Sequence, residues 1–187
     1  DATVVVELLG RGMELNTVDR SGDTLLIQAV RHDMPELIDF LIQRRARLNT
    51  RNRNGETALS IAAFTGQMPY VQKLVEAGAE LNFYGWPPLA YAAFNGYTEI
   101  VDYLLKRGAE IDAKTDNGST ALYLAARNGH FDVVKLLMKN QADVTIANQR
   151  DETPVDAAMK SGNSEIEGML REAGGRSGKT AFIELSQ

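Results

Sequence analysis

The stretch DNGSTALYLAARNGHFDVVKLLMKNQADV, Asp116 to Val144, contains one complete structural unit. Thr120 precedes a short apolar segment that includes Ala125-Ala126. Gly129 and His130 form a corner, and Val133-Val134-Lys135-Leu136-Leu137-Met138 supplies apolar residues at i, i+1, i+4 and i+5, a wide stripe on one side of a helix. The reading is a short inner helix, a tight link, an outer helix, and an extended stretch leading to a hairpin. Helices this short cannot bury their own apolar faces, so the unit requires neighbours.

Those neighbours are present in register. Thr24-Leu25-Leu26, Thr57-Ala58-Leu59, Pro87-Pro88-Leu89, Thr120-Ala121-Leu122 and Thr153-Pro154-Val155 open similar segments at spacings of 33, 30, 33 and 33 residues. The outer-helix block also returns, at Val4–Leu9, Leu37–Ile42, Tyr70–Val75 and Ile100–Leu105. A period of this length predicts a stacked array. Ala62, Ala63, Ala92, Ala93, Ala125 and Ala126 are the expected close contacts between inner helices, and Gly66, Gly96, Gly129 and Gly162 the expected left-handed helix ends.

The chain resembles the ankyrin-repeat family through Gly108-Ala109-Glu110-Ile111-Asp112, Asp116–His130 and Val133–Val144. The resemblance covers about residues 1 to 175. It implies an all-α solenoid of about five repeats with β-hairpin fingers, followed by a tail over 176–187. The family's Thr-Pro-Leu-His box lacks its His in every copy, where Ile27, Ser60, Ala90, Tyr123 and Asp156 stand instead. The third finger, Asn82–Trp86, is three residues shorter than Asn49–Glu56. This short finger followed by GWPPLAYAA, Gly85 to Ala93, is similar to exported ankyrin proteins of Gram-negative bacteria. That resemblance favours a periplasmic or exported location, with a cytoplasmic one as the alternative. The chain begins inside an outer helix, so further residues upstream of Asp1 are expected.

Composition narrows the function classes. With 44% apolar and 24% charged residues the chain should fold, and a net charge of −5 disfavours nucleic acid and anionic membrane. The absence of Cys excludes disulfides and thiolate chemistry, and no apolar run suggests a membrane span. His130 is expected to serve the corner between helices, and His32 to be solvated, with no partner at metal-ligand spacing. No cofactor, metal or catalytic residue is expected.

AGGRSGKT, Ala173 to Thr180, fits a loose phosphate-loop pattern and raises an alternative reading, a nucleotide-binding enzyme. A phosphate loop needs a preceding strand and a following helix. Here an outer-helix pattern precedes it and only Ala181–Gln187 follows, so a Gly-rich exit from the last helix is expected. Phe182, Ile183 and Leu185 in the tail would then cap the last repeat.

The family resemblance implies a protein partner bound on the concave face of fingers and inner helices. By register that face carries Phe64, Phe83, Tyr84, Trp86 and Phe94 in repeats two and three, flanked by Arg31 and Arg127. Aromatic and Arg side chains commonly dominate interface energy. Two readings of Trp86 stay open, an interface anchor or an inward filler of the shortened finger. A noncatalytic interaction module is the main expectation. An accessory, immunity or chaperone-like protein for an associated enzyme is the alternative.

Overall fold

The computed structural model describes residues 14–178 together with Glu7, Gly10 and Gly12. The described residues form ten α-helices. In order these are α1 (Leu25–Arg31), α2 (Pro35–Gln43), α3 (Ala58–Thr65), α4 (Met68–Glu76), α5 (Pro88–Asn95), α6 (Thr98–Lys106), α7 (Ala121–Arg127), α8 (Phe131–Lys139), α9 (Pro154–Lys160) and α10 (Ser164–Glu172). They divide between two compact units, Asp1–Glu80 and Leu81–Gln187, and the boundary falls just ahead of the short third finger.

In the first unit α1 packs on α2 and α3, and α3 on α4. In the second, the inner helices α5, α7 and α9 pack in succession, each against its own outer helix, while α6 meets α8. The expected alanines are the reason these short helices can approach. Ala62, Ala63, Ala92, Ala93, Ala125 and Ala126 are each wholly buried. Leu26 and Leu59 in the first unit, and Leu89, Leu122 and Leu137 in the second, fill the space between. Each such leucine contributes about 1.5–3 kcal/mol by leaving water.

Caps set where the helices begin. Thr24, Thr57, Thr120 and Thr153 each accept a backbone N–H from the third residue of the helix that follows. Two of the residues that replace the box His extend this scheme. Ser60 and Asp156 accept from the N–H groups of Thr57 and Thr153 at 2.8 and 2.9 Å, completing two capping boxes. Tyr123 instead reaches across to the next repeat, donating its hydroxyl to Glu152 Oε2 at 2.7 Å. Burial and then this bond push the Tyr123 phenol up to about 12.

The fingers are turns, with no strands among the described residues; a single bridge joins Val18 and Thr24. Asp19, Asn52 and Asn148 each accept two backbone N–H groups with one side-chain oxygen. This local bonding replaces a ladder and closes each tip. Tips then join pairwise, Arg53 N–H to Ser21 O and Gln149 N–H to Asn117 O, both at 3.0 Å. At the finger bases a second series runs through each unit. Asn16 accepts Arg47 N–H and Asn49 accepts Glu80 N–H in the first. Asn82 accepts Glu110 N–H and Asp112 accepts Asp143 N–H in the second.

Candidate protein-binding surface

In the first unit, Phe64 stands in the last turn of α3 with 44% of its surface exposed. Arg31, in the last turn of α1, is tied to two carboxylates. Its Nε lies 3.0 Å from Asp23 Oδ2 and its Nη2 2.5 Å from Glu56 Oε2. Asn52 donates to the same two carboxylates, at 2.7 and 2.8 Å. Burial alone would raise the Glu56 carboxyl, but the bonds from Asn52 and Arg31 outweigh it and hold it below its usual value. Arg31 is therefore a structural clamp across two repeats, and only part of its side chain reaches solvent.

In the second unit, the short finger turns at Gly85, whose φ of +110° is open to glycine. Phe83 is half-buried and Tyr84 is 78% exposed. Trp86 is half-buried, its ring 5.1 Å from that of Tyr91 and 5.9 Å from that of Phe94, edge-on to the latter. Trp86 thus packs locally and keeps part of its surface exposed. The backbone of Phe94 is fixed from the next repeat: its carbonyl accepts Asn128 Nδ2 at 2.7 Å and lies 2.9 Å from His130 Nε2. Arg127 is exposed at the end of α7. Two open hollows flank Tyr84, of about 400 and about 290 Å³, and Lys114 lines both.

Tyr91 escaped the sequence reading. Its register equivalents Ile61, Leu124 and Ala157 are core residues, and Gln28 is a half-buried polar one. The signal available was the neighbouring Trp86 with a three-residue deficit in its finger.

The corner residue His130 takes a structural place, covering Gly96 as well as meeting Phe94 O, and His32 is exposed beside Gln28. Among the described residues no group of three His, Asp or Glu side chains could hold a metal ion. None of their helices is long and apolar enough to cross a membrane.

The phosphate-loop-like stretch folds back on the last repeat. Thr153 Oγ1 donates to Arg176 O at 2.7 Å, Gly178 N–H donates to Asp156 Oδ2 at 2.8 Å, and the Ser177 hydroxyl donates to Asp156 Oδ1. A Cβ on Gly178 would meet Asp151 O at 1.9 Å, so glycine is required for this approach. Two donors of the motif, the Ser177 hydroxyl and the Gly178 N–H, are thus bound to an internal carboxylate. Lys179 and Thr180 lie outside the described residues, as do Phe182, Ile183 and Leu185.

With helix pairs, caps and fingers repeating in this way, the family model for ankyrin repeats (3 copies) matches residues 1–83, 26–115 and 89–180. The chain belongs to the ankyrin-repeat family. Its fold is the all-α repeat solenoid of that family. No curated protein matches the chain. Ankyrin repeats are in general protein-binding modules, and this ankyrin-repeat chain departs from the common pattern at the box His and at the third finger, beside which Trp86, Tyr91 and Phe94 gather.

Proposed function

We propose that this chain is a noncatalytic module that binds a protein partner, with Trp86, Phe94 and Tyr84 as the centre of contact in the second unit and Phe64 in the first. The observation that carries this reading is the Trp86, Tyr91, Phe94 cluster, half-exposed and adjoined in the chain by Tyr84 at 78% exposure. Aromatic groups of this kind supply large contact area at low entropic cost. Phe83 supports the short finger from its half-buried place, and exposed Arg127 supplies a cation at the end of α7. Arg31 serves the surface indirectly, by holding two fingers in register. The resemblance of Gly85–Ala93 to exported bacterial proteins supports a periplasmic site of action.

The test is affinity capture from the source organism's extract, with wild type beside the Phe64→Ala, Trp86→Ala, Phe94→Ala triple variant and a Tyr84→Ala variant. Retained proteins are identified by mass spectrometry and rebound in purified form. A partner bound by wild type and lost by folded variants supports the reading, and equal retention by all three proteins overturns it. If the partner is an enzyme whose lifetime the chain extends, the module has an accessory role.

A further inference from the structure

Arg44, Arg45, Arg47, Arg51 and Arg53 stand within ten consecutive residues, and no Asp or Glu occurs from residue 40 to residue 55, in a chain of net charge −5. All five are exposed, while Ala46 and Asn52 between them are buried. The segment runs from the end of α2 through the second finger, wholly within the first unit.

Comparison with the other repeats shows that the fold does not ask for these cations. At the register of Arg47 four repeats carry Glu14, Glu80, Glu110 and Asp143, and Arg176 stands there in the last. Arg47 reverses that charge. Its equivalents in the first unit, Glu14 and Glu80, would be natural ion-pair partners, yet among the described residues none of Arg45, Arg47 and Arg53 forms an ion pair.

Arg45 is a second departure. Its φ is +60°; Gly12, Gly78, Gly108 and Gly174 at the same register are glycines with φ from +93° to +102°, while Gln141 shares the departure at +66°. A side chain bearing a Cβ is disfavoured in that conformation, and glycine would relieve it. The C-terminal dipole of α2 and the Phe40 ring, 5.1 Å from the Arg44 guanidinium, account for Arg44. They do not account for Arg47 or Arg53.

We infer that the strip from Arg45 to Arg53 docks an acidic segment of a protein partner. This rests on the binding-module reading and adds the chemistry of what is bound. Guanidinium groups match carboxylates in two-pronged geometry. A nucleic acid would need a basic surface well beyond one finger, and the chain's overall negative charge opposes a long polyanion.

The probe is a short fluorescein-labelled oligoglutamate, followed by fluorescence anisotropy with the whole chain. The variant is Arg45→Gly with Arg47→Glu, each replacement being the residue that other repeats already use, so folding should be kept and is checked by circular dichroism. Wild type should bind, more weakly as salt rises, and the double variant should lose at least about tenfold in affinity while its melting midpoint does not fall. The Phe64, Trp86, Phe94 triple-alanine protein should bind oligoglutamate as wild type does. The inference is overturned if wild type fails to bind, if the double variant binds equally well, if the triple-alanine protein loses the peptide, or if a single-stranded oligonucleotide of equal charge binds more tightly. Failure here with a partner still captured through the aromatic residues removes the strip alone. Oligoglutamate binding without any aromatic-dependent partner removes the aromatic surface and leaves the strip.

Discussion

Trp86 and Phe94, eight residues apart, meet edge to face with ring centroids 5.9 Å apart. The same register holds an ion pair elsewhere, Asp23 with Arg31 at 3.0 Å and Glu152 with Lys160. One position of the repeat thus links finger base to inner-helix end by charge in two repeats and by aromatic contact in the third. The exchange replaces an ion-pair clamp with an aromatic contact whose two rings stay half-exposed.

Replacing Trp86 by Ala should therefore cost about 2 kcal/mol of stability, from lost apolar burial and the two ring contacts. Chemical denaturation measures this. Trp86 is the only tryptophan, so wild-type emission reports this site alone. A bound partner should shift its emission maximum to shorter wavelength, and an unchanged spectrum in a confirmed complex would place the contact elsewhere.

Asn52 is the least replaceable polar residue of the second finger. It donates to Asp23 and Glu56 and accepts N–H groups from Asn54 and Glu56. Asn52→Ala should cost about 2 kcal/mol or more, because the Asp23 carboxylate, itself 6% exposed, would lose a donor. Phe64→Ala, at an exposed position, should cost under about 1 kcal/mol. Paired melting curves test the order.

Gly96 sits at φ +79°, and a Cβ there would come within 2.5 Å of His130 Nδ1. Gly96→Ala should destabilise by at least about 1 kcal/mol. Part of that loss should return in a Gly96→Ala, His130→Ala double variant, and a double-mutant cycle reads the coupling. Strict additivity would mean that the ring does not press on this glycine.

Asp156 ties the C-terminal segment to α9. Burial by itself would raise its carboxyl, but bonds from Ser177, Thr153 and Gly178 outweigh this and set it below the ordinary 3.8. A depressed folded value means stability that is full well above 3.8 and lost as pH falls through the folded value. Asp156→Asn should lower the melting midpoint near neutral pH and flatten its decline in acid. Parallel acid limbs in the two proteins would show that Asp156 is not the group responsible.

Much of this molecule is encoded within a few neighbouring residues. The Thr caps, the left-handed glycines at Gly66 and Gly96, the buried alanine pairs and the period itself are local or periodic signals, so the ankyrin array was legible without coordinates. What surrounds each exposed position was not, because it depends on groups some 25 to 36 residues away in the chain. Arg31 and Trp86 have the same standing in the sequence, yet one is held by Glu56 of the next finger and the other keeps an open edge on Phe94. The Gly-rich AGGRSGKT stretch fits an anion-binding pattern, and tertiary packing supplied the anion, the side chain of Asp156. Local chemistry and repetition chose the fold, while contacts between successive repeats decided which side chains remain for a partner.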